Sequence, residues 1–516
     1  MPTRCLARPG RSRVTGPLAT IVALTLFVAG CGGTGGRPAA SSRDGARLRP
    51  ATSEPTTSTR PALPVTPVQW TPCGSLQCGS VTVPLDDADP GGPTLQIAVA
   101  RHPAEIPSER IGSLVINPGG PGASGINDLP DELSVLTPEL LDRFDIVSFD
   151  PRGVERSHPV TCPSSTGPAA PGPPPDPVPT TPAAQQALLR SDREFARQCE
   201  KGSGAILPYV GTVDAARDLD RIRAALGDAR LTFIGHSYGT LLGATYAELF
   251  PTHVRAMVLD GAIDPALSTA AYATDQADSL ESELESFVAW CTASTGCPWH
   301  PAGDPTTSLL SLIRASQSRP LAASDGGTAG PGALYDALLA GLESRSSWPA
   351  LADALAGAAS GDGSAVASMA GSYGTGGSTN GADAEEAIDC LDHPVSRTLS
   401  RYPILAEQFA RSAPVFGPLL AWGLLGCAVW PVPPTRHPAP ASDPGAPPIL
   451  VVGTTGDPVT PYSWAVSLAK ELTGGRLLTW QGQSHVAYYY STCVRNLVQA
   501  YLVAGTLPAP GTACTD

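Results

Sequence analysis

One pentapeptide in this chain of 516 residues, Gly235-His236-Ser237-Tyr238-Gly239, has the form GxSxG. It follows the apolar run Leu231 to Ile234 and precedes a helical stretch, Leu241 to Phe250. A serine flanked by glycines at a strand-to-helix turn is held with its Oγ exposed, because the backbone can reverse that tightly only where neighbouring side chains are missing. The chemistry that fits is nucleophilic attack by Ser237. A serine hydroxyl is a weak nucleophile at neutral pH, so it needs a base, and the base needs a carboxylate to orient it. Asp457 stands in a polar loop, Gly453 to Pro461, after the apolar run Ile449 to Val452. His485 closes Gly482-Gln483-Ser484-His485 after the run Arg476 to Trp480, and it is the only histidine C-terminal to Asp457. Asp260 and Asp264, which also end a strand-like run, are the alternatives to Asp457.

An attacked carbonyl becomes an oxyanion and needs two N–H donors aimed at it. One is expected from the backbone of Tyr238, just after the nucleophile. The other is expected from the loop Asn117-Pro118-Gly119-Gly120-Pro121-Gly122, with Gly120 favoured over Gly119. A phosphate-binding loop is the poorer reading, since two prolines remove N–H groups and no GK[ST] follows. None of the eight histidines forms an HExxH pair, so no catalytic metal is expected, and no motif calls for a cofactor.

The elements that position these residues are legible as runs. Ile111–Ile116, Phe144–Phe149, Leu231–Ile234, Val254–Leu259, Ile449–Val452 and Arg476–Trp480 are nearly continuous apolar segments, the pattern of strands buried on both faces. Ser80–Val83 and Thr94–Ala100 predict an opening hairpin. Leu219, Ile222 and Leu226 recur at helical spacing after a Thr212 cap and before Gly227, a stop signal. The class is α/β, a mostly parallel central sheet with flanking helices. Strand-like runs cease from about Pro265 to Pro447, which predicts a large, mostly helical cap. One of its helices carries the apolar stripe Leu280, Leu284, Phe287 and Cys291, and the acids between 275 and 285 are expected on its solvated face. The predicted boundaries are 70–265 and 447–516 for the two parts of the sheet domain and 266–446 for the cap.

Net charge is −14 with 16% charged residues, which argues against nucleic acid as a partner. The 54 glycines and 55 prolines exclude a compact helical bundle. Residues 1–30 carry Arg4, Arg8, Arg11 and Arg13 before an apolar run, Leu18 to Ala29, the layout of an export signal. Val28-Ala29-Gly30-Cys31 matches the bacterial lipobox, so acylation of Cys31 is expected to anchor the protein to a membrane. Residues 31–69 read as a Pro/Gly/Ser-rich tether. Ten cysteines remain after export, an even number that favours disulfides outside the cell. Spacing alone does not fix their connectivity. Taken in consecutive couples they pair Cys73 with Cys78, Cys162 with Cys199, Cys291 with Cys297, Cys390 with Cys427 and Cys493 with Cys514.

The motifs NPGGPG at Asn117, DPRG at Asp150, GHSYG at Gly235, GDPVTP at Gly456 and GQSH at Gly482 together resemble the α/β-hydrolase serine peptidases related to prolyl iminopeptidase. More closely, the chain is similar to secreted tripeptidyl aminopeptidases of actinobacteria and to mycobacterial lipoproteins labelled carboxylesterases. The resemblance covers about residues 70 to 516, including the cysteine couples and the segments Ala387–Asp392 and Cys427–Pro431. It implies an enzyme that removes short N-terminal peptides from a peptide or protein substrate through an acyl-enzyme, with a carboxylesterase or lipase acting on acyl esters as the alternative; a monomer is expected. A non-catalytic binding lipoprotein on the same scaffold would be expected to lack a triad member, and none is lacking. An exopeptidase must read the substrate's free ammonium, and the candidates are Asp392 with Asp389 or with the pair Glu385 and Glu386. Arg152 is expected to be a structural partner. One departure is Glu155, where the resembled pattern DPRGVGxS has glycine; a positive φ there would strain the glutamate.

Overall fold

Strands buried on both faces are mostly apolar, and a polar side chain is tolerated there where it finds a partner, as Ser148 Oγ does in donating to the Ile116 carbonyl at 2.8 Å. The computed structural model describes residues 63–163, 174–301, 303–324, 326–373 and 378–516. Cys31, the export signal and most of the tether lie outside the described residues. In chain order the strands are β1 (Thr71–Cys73), β2 (Leu76–Pro84), β3 (Thr94–His102), β4 (Gly112–Asn117), β5 (Phe144–Phe149), β6 (Leu231–His236), β7 (Val254–Asp260), β8 (Leu321–Ala322), β9 (Thr328–Ala329), β10 (Leu450–Thr454), β11 (Arg476–Trp480) and β12 (Ala513–Cys514). Ten of them form one sheet in the order β1-β2-β3-β5-β4-β6-β7-β10-β11-β12. The first pairings, through β3 with β5, are antiparallel, and all pairings from β5 to β12 are parallel.

Every residue of β4, β5 and β6 is buried. Alternate side chains enter two separate cores, as the period of two requires. Val115, Val147, Phe149 and Phe233 face one core, closed by Leu219 and Ile222 of the Thr212–Ala225 helix and by Leu241 and Leu242. Leu114, Ile116, Ile146 and Ile234 face the other, closed by Leu129, Val494 and Val498.

The segment between β7 and β10 has an apolar core of its own, where Leu280, Leu284, Phe287 and Cys291 of the Thr269–Ala293 helix meet Leu334, Leu338, Trp348 and Leu351. The segment is mostly helical, with one two-residue antiparallel hairpin, β8 with β9. One expectation fails here. The acids of the Thr269–Ala293 helix are not all solvated: Glu281 and Glu283 are buried, and Glu281 Oε2 accepts N–H bonds from Val415 and Phe416 at 3.0 and 3.3 Å. A buried carboxylate is tolerated there because it satisfies backbone donors that a helix start would leave orphaned.

Sulfur–sulfur bonds join Cys73 with Cys78, Cys162 with Cys199, Cys291 with Cys297, Cys390 with Cys427 and Cys493 with Cys514. Arg152 is fully buried: its Nε and Nη2 each meet a carboxylate oxygen of Asp218 at 2.6 Å, and its remaining N–H groups bond the carbonyls of Pro84, Leu85 and Tyr209. That bidentate pair ties β5's end to the Thr212–Ala225 helix. Glu155 adopts φ 40°, the strained conformation its position demands. Its amide donates to Asn380 Oδ1 at 3.0 Å and its carboxylate accepts from the Thr379 amide, so the turn grips the chain just ahead of the Gly381–Asp392 helix.

Candidate active site

Ser237 sits alone between β6 and the helix Tyr238–Leu249, at φ 54° and ψ −122°. Such a conformation is costly for a residue with a Cβ and persists only where the surroundings impose it. The flanking glycines do so: a Cβ on Gly235 would lie 2.2 Å from the Gly239 carbonyl oxygen, and one on Gly239 would lie 2.7 Å from that of Asn117. The Ser237 amide donates to the Asp260 carbonyl at 2.9 Å, which fixes the turn against β7. Tyr238 is the first helical residue, so its N–H has no intrahelical acceptor. Beside it, the loop after β4 places Gly119 at φ 111° and Gly120 at φ 97°, and a Cβ on Gly119 would lie 2.9 Å from Ser237 Cβ. Gly119 is thus the closest packing point and Gly120 lines the cavity above the serine.

His485 Nδ1 lies 2.9 and 3.1 Å from the two carboxylate oxygens of Asp457. The carboxylate is itself held by the amides of Val459 and Thr460, at 3.0 and 2.8 Å, and by Thr460 Oγ1 at 3.0 Å. Burial pulls the His485 imidazole down, but Asp457, with Glu343 and Asp260 further off, outweighs it and holds the pKa above the ordinary histidine value. Of the alternatives, Asp260 is committed elsewhere: its carboxylate accepts from the amides of Ala487 and Tyr488 at 3.1 and 2.8 Å, supporting the loop beyond His485. Asp264 caps its own turn at Ala266.

Ser237 and His485 share the wall of a cavity of about 680 Å³ with Tyr272, Tyr373, Leu420 and Tyr489. Among the described residues four with carboxyl side chains line it, Asp128, Glu343, Glu385 and Asp389, and no lysine or arginine does. Glu385 and Asp389 stand four residues apart on the Gly381–Asp392 helix, hence on one face. That helix starts directly on the glycine-rich loop, since a Cβ on Gly122 would lie 2.4 Å from the Gly381 carbonyl oxygen. Burial pushes the Glu385 and Asp128 carboxyls up to about 7. Asp389 is raised well above the carboxylate range by burial and then by Glu385, Glu386 and Asp392. The nearest potential cation is His393 at 4.0 Å, whose pKa burial lowers to about 4.

Two of the amine-binding candidates are elsewhere. Asp392 is fully buried and accepts from both the amide and the hydroxyl of Thr212, so it caps the Thr212–Ala225 helix from a distant part of the chain. The cap expected from Thr212's own side chain is therefore absent, and Gly211 occupies the N-cap position. Glu386 turns to a separate hollow lined by Asp192, Trp422 and Trp430. The sequence reading missed Asp128 and Glu343. Asp128 lies one turn into the helix that follows the glycine-rich loop, a placement that could have flagged it; Glu343 carries no sequence signal.

Two families match: one described as alpha/beta hydrolase fold over residues 112–301, the other as TAP-like protein over residues 413–514. The serine protease Hip1 of Mycobacterium tuberculosis is 37% identical over 87% of this chain and 91% of its own length. A tripeptidyl aminopeptidase of Streptomyces lividans is 33% identical over 87% of this chain and 86% of its own. Carboxylesterase B of M. tuberculosis is 34% identical over 90% of this chain and 94% of its own.

Proposed function

The chain belongs to the α/β-hydrolase family that includes these serine proteases, tripeptidyl aminopeptidases and carboxylesterases, and from that premise we propose that it is an exported serine aminopeptidase releasing di- or tripeptides from free N-termini. Ser237 Oγ attacks the scissile carbonyl carbon while His485 Nε2 takes its proton, and Asp457 holds the imidazole in the tautomer that leaves Nε2 free. The amides of Tyr238 and Gly120 receive the oxyanion. As the C–N bond breaks, His485 returns the proton to the leaving amine. A water molecule, deprotonated by His485, then releases the acyl group and restores Ser237.

The observation that carries the peptide reading is the pair Glu385 and Asp389 on the wall shared with Ser237 and His485, with no lysine or arginine among the described lining residues to balance them. Buried carboxyls without a counter-charge disfavour ionisation, and a substrate ammonium would supply that charge only when bound. The ester reading rests on the carboxylesterase relative and on a nucleophile and oxyanion site equally fit for esters. Acylation of Cys31 would hold the enzyme at a membrane by its lipid; among the described residues no helix is long and apolar enough to cross one. Mass spectrometry of a decapeptide digest tests the proposal. Successive di- or tripeptides from the free N-terminus are expected, with no cleavage of the N-acetylated peptide; internal cleavage of either overturns it.

A further inference from the structure

The loop that carries His485 does not stand on the sheet alone. Its backbone pairs antiparallel with a cap segment, Ser344 opposite Ser484. The His485 amide donates to the Glu343 carbonyl at 2.7 Å, and the Arg345 amide to the Gln483 carbonyl at 3.2 Å. Arg345 Nη1 adds a bond to Gln483 Oε1 at 3.1 Å, and Ser484 Oγ one to Ser344 Oγ at 3.3 Å. The acid's loop is held from the cap as well: Ser279 Oγ donates to the Asp457 carbonyl at 2.6 Å and Gln276 Nε2 to that of Val459 at 2.9 Å. Backbone pairing of this kind brings the Glu343 side chain to the same cavity wall as His485.

We propose that Glu343 is a positioning residue for the catalytic base: its backbone clasps the His485 loop to the cap, and its carboxylate is a second acid that stabilises the imidazolium formed during acyl transfer. The inference rests on the Ser237–His485–Asp457 reading. The titratable groups facing His485 are Asp457 from the β10 loop, Asp260 from β7, His236 at the end of β6 and Glu343 from the cap; burial keeps His236 neutral, and Glu343 in turn faces His485, Asp457 and Tyr373. Asp457 is required to orient the ring and Asp260 is bound to backbone amides, so Glu343 is the acid that can respond to the proton on His485. Because its side chain is accessible along the cavity, a neutral isostere leaves the packing and the clasp intact.

The test is the pH profile of inactivation by a small uncharged fluorophosphonate, which needs Ser237 and His485 but presents no ammonium. Glu343→Gln is expected to move the acid limb to lower pH by about half a unit and to slow the maximal rate about threefold, the rate equivalent of that shift. Glu343→Asp is expected to return most of both, while Asp353→Asn, an exposed acid on the cap helix Trp348–Ala359 away from the cavity, leaves the profile unchanged. A Glu343→Gln profile that superimposes on the wild type overturns the inference, as does an equal effect from Asp353→Asn. Wild-type protein that is not labelled at Ser237 would instead refute the underlying mechanism.

Discussion

Glu385 is placed to cost stability and return it as specificity, and one substitution separates the two. Burial raises its carboxyl from the ordinary glutamate range to about 7. A folded-state pKa above the unfolded one means that folding disfavours the charged form: the penalty is absent below the unfolded pKa, grows as pH rises, and is complete above about 7. The full shift would correspond to about 3 kcal/mol, and access of water through the cavity reduces it to roughly 2. Glu385→Gln removes the penalty, so at about pH 8 the variant is expected to melt a few degrees above the wild type and at about pH 4, below the unfolded pKa, to melt with it. The same change removes one charge-assisted bond to a substrate ammonium, worth about 2 kcal/mol, so kcat/KM for a free-amine tripeptide amide is expected to fall roughly thirtyfold. Activity on the N-acetylated amide is expected to stay within about threefold, the range of a substitution that touches no bound charge. Calorimetry at the two pH values and paired kinetics on both substrates read the two effects. A lower melting temperature at high pH, with no change in discrimination, would refute the reasoning and make Glu385 a structural acid.

Ser237→Ala is expected to lower kcat by about 10⁴ to 10⁶ with KM little changed, checked by steady-state kinetics on a peptide amide. Thr460→Val keeps the amide bond to Asp457 but deletes the hydroxyl bond at 3.0 Å, so kcat/KM should fall about tenfold, the value of one hydrogen bond to a charge; activity within twofold of wild type would remove Thr460 from the account. Arg152→Met leaves Asp218 buried without its partner and is expected to cost about 3 to 5 kcal/mol in denaturant unfolding. The kcat of the folded fraction should not change, and a large loss there would give Arg152 a role in the chemistry.

The sheet was legible because its strands are buried on both faces, a condition that leaves a continuous apolar run in the chain. Phe144–Phe149 and Arg476–Trp480 end where their runs end. Strands of two residues, such as β8 and β12, leave no such trace. Ser237, Asp457 and His485 were legible through strand-end motifs. The acids of the cap were legible as a cluster but not as a site, because the face a helix turns to the cavity depends on what it docks against. Gly122 and Asn380 set that docking for the Gly381–Asp392 helix, and it sends Asp389 to the cavity, Glu386 to another hollow and Asp392 to Thr212. Glu281 was misread for a related reason: it flanks the apolar stripe, and its partners at Val415 and Phe416 come from far along the chain.

The most direct test of the proposed activity is kcat/KM of the wild-type enzyme on a chromogenic tripeptide amide, measured with its amino terminus free and again N-acetylated. The cavity's unbalanced carboxyls predict a free-amine preference of about a hundredfold or more, roughly 2.7 kcal/mol of transition-state binding. Equal rates on the two amides, or hydrolysis of short acyl esters with neither amide cut, would contradict it.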